Sequence, residues 1–350
     1  MVYLRNAWYN AAWDHEIVEG EILSRRYLDE PVILFRDLSG SVKALGGMCP
    51  HRMAPLARGR VVGDAIQCGY HGLVFDKEGL CTKNPFGATP KNVRIRSYPI
   101  VERHRCVWIW MGDEDKADDS LIPDFSFLDG DTHFSGRDYL HVNTSYLLEI
   151  DNLLDGSHIE FLHPTTLGSG QVSSGEYVAK QDGDTVWSNR YIENEMMTEG
   201  MSYMLGTPFG EPADRWINIR WDAPANVVIF PGAVPTGRPH SEGYEMPGTH
   251  LFTPETARTT HYWYAYSFPK SVPNAEAKAE ETIKYMRYPF EHEDKPMLED
   301  QQLNIGDRDL LEMKLFWLPG DAAGGRARKI LRDKIAAEQD AKALSAVAAE

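Results

Sequence analysis

Two cysteines and two histidines sit in a spacing that few folds satisfy: Cys49-Pro-His51, sixteen intervening residues, then Cys68-Gly-Tyr-His71. Each half supplies one thiol and one imidazole. Each half also lies at a turn, with Gly46-Gly47 before the first, Pro50 inside it, and Gly69 and Gly72 marking the second. Two facing loops at the tips of a small β-structure would present four ligands to one site. Cysteine together with histidine selects a borderline-soft metal. The remaining cysteines, Cys81 and Cys106, do not join the pattern, and Cys106 in Cys106-Val-Trp-Ile-Trp reads as a small buried hydrophobe.

Two metal readings compete. One is a tetrahedral Cys2His2 zinc site that closes a small fold. The other is a Rieske [2Fe–2S] cluster, with one iron on two cysteines and the other on two histidines. Zinc fingers pair like with like, whereas each half here mixes the types, as expected if two loops interleave around two irons. The flanks add a resemblance: Cys49-Pro-His-Arg-Met-Ala-Pro-Leu and Cys68-Gly-Tyr-His-Gly-Leu-Val-Phe closely resemble the Rieske signature of the aromatic-ring oxygenase family. The resemblance implies Cys49, His51, Cys68 and His71 as cluster ligands. Such a cluster relays electrons and does no chemistry on an organic substrate itself.

At 350 residues the chain has room for two domains, and 42% apolar side chains are enough for sizeable cores. The first third reads as antiparallel β-structure. Pro31-Val-Ile-Leu-Phe-Arg and Val42-Lys-Ala-Leu flank the turn Leu38-Ser-Gly-Ser, and further runs appear at Val93-Arg-Ile-Arg and Cys106-Val-Trp-Ile-Trp. The acidic stretch Gly112 to Asp119 is a surface loop, which places the division at 1–115 and 116–350. Beyond it, Leu147 to Leu162 looks helical. Val186 to Ile192, Trp216 to Trp221, Asn226 to Phe230 and His261 to Tyr266 look like strands. Ala275 through Asp300 reads as helix interrupted at Pro289 and Pro296, and Arg326 to Ala348 as an exposed helix. The class is α+β: an N-terminal antiparallel β Rieske domain and a C-terminal helix-grip domain, an antiparallel sheet with helices.

A net charge of −16 repels nucleic acid and anionic lipid, so neither is expected as a partner. No apolar run approaches the ~20 residues a membrane helix needs, and the start of the chain carries no apolar leader, so the expectation is a cytoplasmic protein.

A pure electron carrier needs only the first domain, and the second holds another metal-like constellation: Asp151-Asn-Leu-Leu-Asp155-Gly-Ser-His158-Ile-Glu-Phe-Leu-His163-Pro164. On a helix Asp155 and His158 share a face, but His158 and His163, five apart, are about 140° apart and cannot meet on one ion if the helix is regular. Pro164 disfavours α conformation at His163, so the helix ends or distorts there. Two histidines need a carboxylate to complete the facial triad of a non-haem Fe(II) oxygenase. The best candidate is Asp294, in competition with Glu291, Glu293 and Asp300.

The segment is similar to the Asp-x-x-His-x4-His iron motif of Rieske oxygenases, and Glu293-Asp294-Lys295 matches the carboxylate-bearing stretch of its more similar members. The resemblance implies His158, His163 and Asp294 as ligands of mononuclear Fe(II). It also implies Asp155 as a bridge that accepts from His158 and reaches His71 of a neighbouring subunit in a homotrimer. Arg5-Asn-Ala-Trp-Tyr, Val107-Trp-Ile-Trp-Met-Gly-Asp and His163-Pro-Thr-Thr-Leu-Gly extend the likeness over the whole chain, to the vanillate O-demethylase, dicamba O-demethylase and toluenesulfonate methyl-monooxygenase group.

That likeness implies a monooxygenase that uses O2 to oxidise a methoxy or methyl group of a substituted aromatic acid. O-demethylation would release formaldehyde, whereas methyl hydroxylation would leave an alcohol. Ring hydroxylation, or a Rieske electron carrier with a non-catalytic binding domain, are the alternatives. His250 and Tyr285 are the candidate substrate contacts. With no Gly-x-Gly-x-x-Gly fingerprint and no plant-type cysteine set, the electrons come from a separate NAD(P)H-dependent reductase with a flavin and a ferredoxin-type centre. Metal analysis separates these classes. About three irons per chain are expected of the oxygenase, about two of a carrier, and a colourless protein of a zinc scaffold.

Overall fold

The computed structural model describes residues 3–89 and 91–348, with side chains described to residue 344 of the last helix. Arg5–Ile122 together with Thr253–Ala257 form one unit, and the rest of the chain forms another.

The first unit is built from small antiparallel sheets. One is ordered Trp8–Trp13, Cys106–Trp110, Ile100–Arg103, and a second Ser97–Tyr98, Val42–Gly46, Glu30–Arg36, Leu23–Tyr27. A third runs Cys81–Lys83, Val74–Phe75, Ala65–Gln67, Arg60–Val62. The hairpin read from the sequence is present, with Val32 opposite Gly46 and Arg36 opposite Val42. Val93–Arg96 differs from expectation, because it makes an isolated bridge between Leu80 and Arg94 and no strand. Its main-chain groups are taken by the preceding turn, Cys81 N–H donating to Val93 and Ile95 N–H to Gly79, so no ladder propagates. Ile33, Phe35, Leu45, Ile66 and Phe75 form a core that also buries Cys49, Cys68 and Cys81. Cys106 is buried as expected.

The second unit is an open seven-stranded antiparallel sheet with helices. The order is His133–Val142, Thr259–Pro269, Gly248–Thr256, Asn226–Pro235, Ala213–Asp222, Thr185–Glu195, Glu176–Asp182. This is a helix-grip-like arrangement, and the strands do not close into a barrel.

The expected helix from Leu147 to Leu162 is broken. Helix α1 (Tyr146–Leu154) buries Leu147, Ile150 and Leu154 and stops at Asp155, whose φ −96°, ψ 90° is extended; α2 (Ile159–Leu162) is a single turn. Gly156 and Ser157 lie in the break, where an Asp155 side chain bonding to Ser157 competes with the helical ladder. Helix α3 (Glu199–Leu205) is capped by Thr198 and ends at Gly206 at φ 75°. Helix α4 (Ala275–Tyr288) continues through one π-helical stretch, Pro289–Asp294, into α5 (Lys295–Ile305). Pro289 supplies no N–H to the ladder and the turn widens there. Pro296 sits in the first turn of α5, where proline is tolerated, and so does not interrupt it.

The C-terminal helix α6 (Ala322–Ala348) is not simply exposed. Ala323, Ala327, Leu331 and Ile335 are buried, and the Arg328 guanidinium pairs with Asp151 of α1. A charged, alanine-rich sequence hides this stripe because its few large apolar residues, Ile330, Leu331 and Ile335, are spread among alanines and charges. Among the described residues no helix is long and apolar enough to cross a membrane.

Helix α4 packs on His133–Val142 and Thr259–Pro269. A Cβ on Gly136 would lie 2.4 Å from the carbonyl oxygen of Ala279 in α4. Main chain cannot move aside cheaply, so Gly136→Ala should destabilise the chain by roughly 1–3 kcal/mol, read as a lower denaturation midpoint with an unchanged slope.

Candidate metal centres

The break between α1 and α2 makes the first site possible. His158 caps the start of the one-turn helix and His163 its end, where φ −117°, ψ 43° has left the α region. The two imidazoles consequently face each other at 5.3 Å between ring centroids, which a regular helix forbids. From the π-helical stretch Asp294 reaches the same point. Its Oδ1 lies 3.1 Å from His163 Nε2 and 3.7 Å from His158 Nε2. Among the described residues, this is the group of His, Cys, Asp and Glu whose ligand atoms all fall within 4.8 Å of one another.

Each ligand is oriented from behind. His163 Nδ1 meets Glu293 Oε2 at 2.6 Å, and Thr166 Oγ1 donates to the same oxygen at 2.7 Å. His158 Nδ1 bonds the main-chain carbonyl of Asp155, while the Asp155 carboxylate takes the N–H and hydroxyl of Ser157. The resemblance implied a bond from His158 to the Asp155 carboxylate, whereas the structure shows His158 bonded to the Asp155 main-chain carbonyl. Asn152 Nδ2 donates to Asp294 Oδ1 at 3.1 Å. Both histidines thus present Nε2 inward, with Nδ1 held by an acceptor, the usual support of a metal-bound imidazole. The residues fit a two-histidine, one-carboxylate site for non-haem iron.

Sequence reasoning missed Asn152. Its one available signal was its place one turn before Asp155 in the motif. Glu293, a rival of Asp294 in the sequence, turns to His163 Nδ1 instead of the ligand point. Glu291 pairs with Arg287.

The second set lies on facing loops of the first unit. Cys49 ends a two-residue strand paired with Ala54–Pro55, and Cys68 follows Ala65–Gln67. The loops approach so closely that a Cβ on Gly69 would lie 2.2 Å from the Arg58 carbonyl oxygen, and one on Gly59 2.2 Å from that of Gln67. His51 and His71 meet edge to face at 4.6 Å, and buried His71 Nδ1 has no protein partner. Burial pushes the Cys49 thiol up to about 11, with neighbouring Cys68 adding to it against the His51 N–H. Burial, His51 and Arg52 lower the pKa of His71, which keeps it neutral and able to ligate. Two thiols, two imidazoles and an orphaned ring nitrogen fit a cluster of two irons better than one zinc.

The mononuclear set opens on a cavity whose wall is mainly apolar, with Met201, Met204, Met246 and Met286 on it. His250 lines this cavity at 0% exposure. Tyr285 does not; its hydroxyl donates to the Thr166 carbonyl at 2.9 Å and braces the loop after His163. Arg215 lines the cavity too, but is buried in an ion pair with Glu195 at 3.2 Å.

Burial pulls the His163 pKa down, yet the hydrogen bonds and charges of Asp294 and Glu293 outweigh it and raise the value above 6.5. Proton and metal compete for Nε2, so iron retention should fall as pH drops through that raised value. Iron remaining after dialysis over a pH series measures this, and flat retention through neutrality down to about pH 5 contradicts it. Glu293→Gln should weaken iron affinity by roughly 10–100-fold, seen in chelator competition.

The family described as Vanillate O-demethylase oxygenase C-terminal domain matches residues 142–337, and the Rieske [2Fe-2S] domain matches residues 7–99. The iron–sulfur subunit of the toluene-4-sulfonate monooxygenase system of Comamonas testosteroni is 39% identical over 75% of this chain and 78% of its own. The oxygenase component of chloroacetanilide N-alkylformylase of Rhizorhabdus wittichii is 33% identical over 96% of this chain and 97% of its own. The crystal structure of dicamba monooxygenase bound to 3,6-dichlorosalicylic acid superposes with a TM-score of 0.89 at 30% identity, covering 97% of this chain and 99% of that one. With a Rieske domain, a His/His/Asp site for non-haem iron and matches of this extent, the chain belongs to the Rieske-domain terminal oxygenases related to vanillate and dicamba O-demethylases and toluenesulfonate monooxygenase, and is the oxygenase component of a Rieske non-haem iron monooxygenase.

Proposed function

We propose that the chain oxidises a methoxy or methyl substituent of a small aromatic acid. In this reading His158, His163 and Asp294 hold Fe(II), and Cys49, His51, Cys68 and His71 hold the [2Fe–2S] cluster. The observation that carries it is the three-ligand set opening on an apolar chamber in a chain that also has a Rieske domain. Relatives named for toluene-4-sulfonate, dicamba and vanillate point to aromatic acids and to demethylation-type chemistry. When bound, the iron activates O2 with electrons that the cluster relays.

The protein's part is positional. Asn152 and Glu293 fix Asp294 and His163. The methionine, leucine and isoleucine wall excludes water and takes an aromatic ring. His250 supplies a polar contact for the acid group; Tyr285, outside the lining, acts on the substrate only through the loop it braces. Residues 1–115 serve as the relay domain and 116–350 as the catalytic domain.

A separate NAD(P)H-dependent flavin reductase with a ferredoxin-type centre supplies the electrons, in the cytoplasm. The chain works as a homotrimer, in which Asp155 links the iron of one subunit to His71 of the next. Large exposed side chains beside the cluster loops, Met53, Tyr70 and Phe86, support a contact between copies there.

A panel of methoxybenzoates, methylbenzoates and aryl sulfonates, run with a surrogate reductase and assayed for formaldehyde and alcohol, tests the activity. Failure of the fully metallated enzyme to oxidise any member refutes it. Asp294→Ala should lose about one of about three irons and all turnover while keeping the cluster's EPR signal. Asp155→Asn should keep both metals yet lose turnover, and normal turnover there refutes the bridge.

A further inference from the structure

The chamber's polar contact has an internal partner that fixes its chemistry. His250 lies on Gly248–Thr256, fully buried, and its Nε2 finds no partner in the protein. Its Nδ1 is 2.7 Å from the Tyr262 hydroxyl on the neighbouring strand, with the two rings stacked at 5.9 Å. Tyr262 is itself buried, and among the described residues its hydroxyl bonds only to this nitrogen.

A count of protons decides the arrangement. Burial pushes the His250 pKa down to about 3, so the ring is neutral and carries one N–H. If that proton sat on Nδ1, it would donate to the phenol oxygen. The buried phenolic O–H would then have no acceptor and Nε2 no donor, leaving two polar groups stranded. If the proton sits on Nε2, the phenol donates to Nδ1 and only the Nε2–H is left over, on the cavity side. Leaving fewer buried groups unmet is the lower free energy. The approach to that N–H is open because residue 248 is glycine: a Cβ there would lie 3.3 Å from His250 Nε2. Arg215, the cation of the lining, has its charge paired with the Glu195 carboxylate through one Nη, while its Nε is buried without a partner.

We propose that Tyr262 is a specificity-determining positioning residue: it locks His250 as an Nε2–H donor into the chamber, so that the site selects aromatic molecules presenting a hydrogen-bond acceptor, such as a carboxylate, sulfonate or carbonyl oxygen, where they meet His250. The selection rests on the cavity being the substrate chamber, as proposed above. The proton's position does not. A substrate bearing only an alkyl group at that end leaves the N–H stranded and binds less well.

Two measurements on the metallated, resting enzyme test this. Neutron diffraction of the wild type should show deuterium on His250 Nε2 and none on Nδ1. Calorimetry without reductase compares meta-methylacetophenone and meta-methylbenzoate with meta-isopropyltoluene, which matches the ketone in shape but lacks the acceptor. The two acceptor probes should bind roughly tenfold more tightly, and Tyr262→Phe should narrow that ratio to about twofold while leaving the affinity for meta-isopropyltoluene unchanged. Deuterium on Nδ1, equal binding of the three probes by the wild type, or an unchanged ratio in the variant each overturns the proposal. Oxidation of the aromatic panel with an unchanged ratio would sink this inference alone. A metallated enzyme that oxidises nothing, yet keeps the Nε2 deuterium and the tenfold ratio, would sink the activity alone.

Discussion

A buried carboxylate has to be met by donors or by a metal, and the catalytic half of this chain is organised around meeting one. Asp294 is largely hidden from solvent, and its Oδ1 faces two imidazole nitrogens and the Asn152 amide. Isolated in an apolar interior, such a charge would be too costly to keep. The local irregularities arise from that demand. The helix must break at Asp155 so that His158 and His163 can face one another, and the chain must widen through Pro289–Asp294 so that Asp294 points in while Glu293 reaches His163 Nδ1. A regular helix in either place would satisfy its own main chain and scatter the three ligands.

The relay domain meets a similar demand with glycine rather than with broken helices. Thiols and imidazoles from separate loops converge only if the loops nearly touch, and at Gly59 and Gly69 the opposing main chain leaves no room for a Cβ. Behind the loops the thiols are sealed by Ile33, Phe35, Leu45 and Phe75. This packing raises the free Cys49 thiol to about 11, so protons must leave as metal arrives. The same apolar packing sets the limits of the chamber in the second unit. Asn152 on its wall is bonded to Asp294 and Arg215 pairs with Glu195 through one Nη, so the His250 Nε2 and the Arg215 Nε are the buried nitrogens of the lining left to influence what fits.

Much of this was legible in the sequence, for a physical reason. Cys49, His51, Cys68 and His71 are near neighbours along the chain, and a short-range pattern with glycine at the turns constrains the loops directly. The hairpin at Glu30–Gly46 and the strands at Thr185–Glu195, Ala213–Asp222 and Thr259–Pro269 were readable from apolar patterning, because period and propensity agree there. Val93–Arg96 misled because a β-like composition does not say where hydrogen-bonding partners lie. The C-terminal helix misled because its few large buried residues, Ile330, Leu331 and Ile335, sit in a run dominated by alanine and charge.

The sequence by itself determined the residue types and one local break: the paired Cys–His halves, the Asp-x-x-His-x4-His run, and the proline that ends it, but not the break at Asp155. It favoured Asp294 over Glu291, Glu293 and Asp300 through the resemblance of Glu293-Asp294-Lys295, but 131 residues separate Asp294 from His163 and no local rule brings them together. Only the tertiary structure brought Asp294 to the two imidazoles and turned Glu293 to His163 Nδ1, through the π-helical stretch that carries both. It also decided that Tyr262 backs His250 and that Tyr285 lies outside the chamber's lining, because both depend on register and packing between elements distant in the chain.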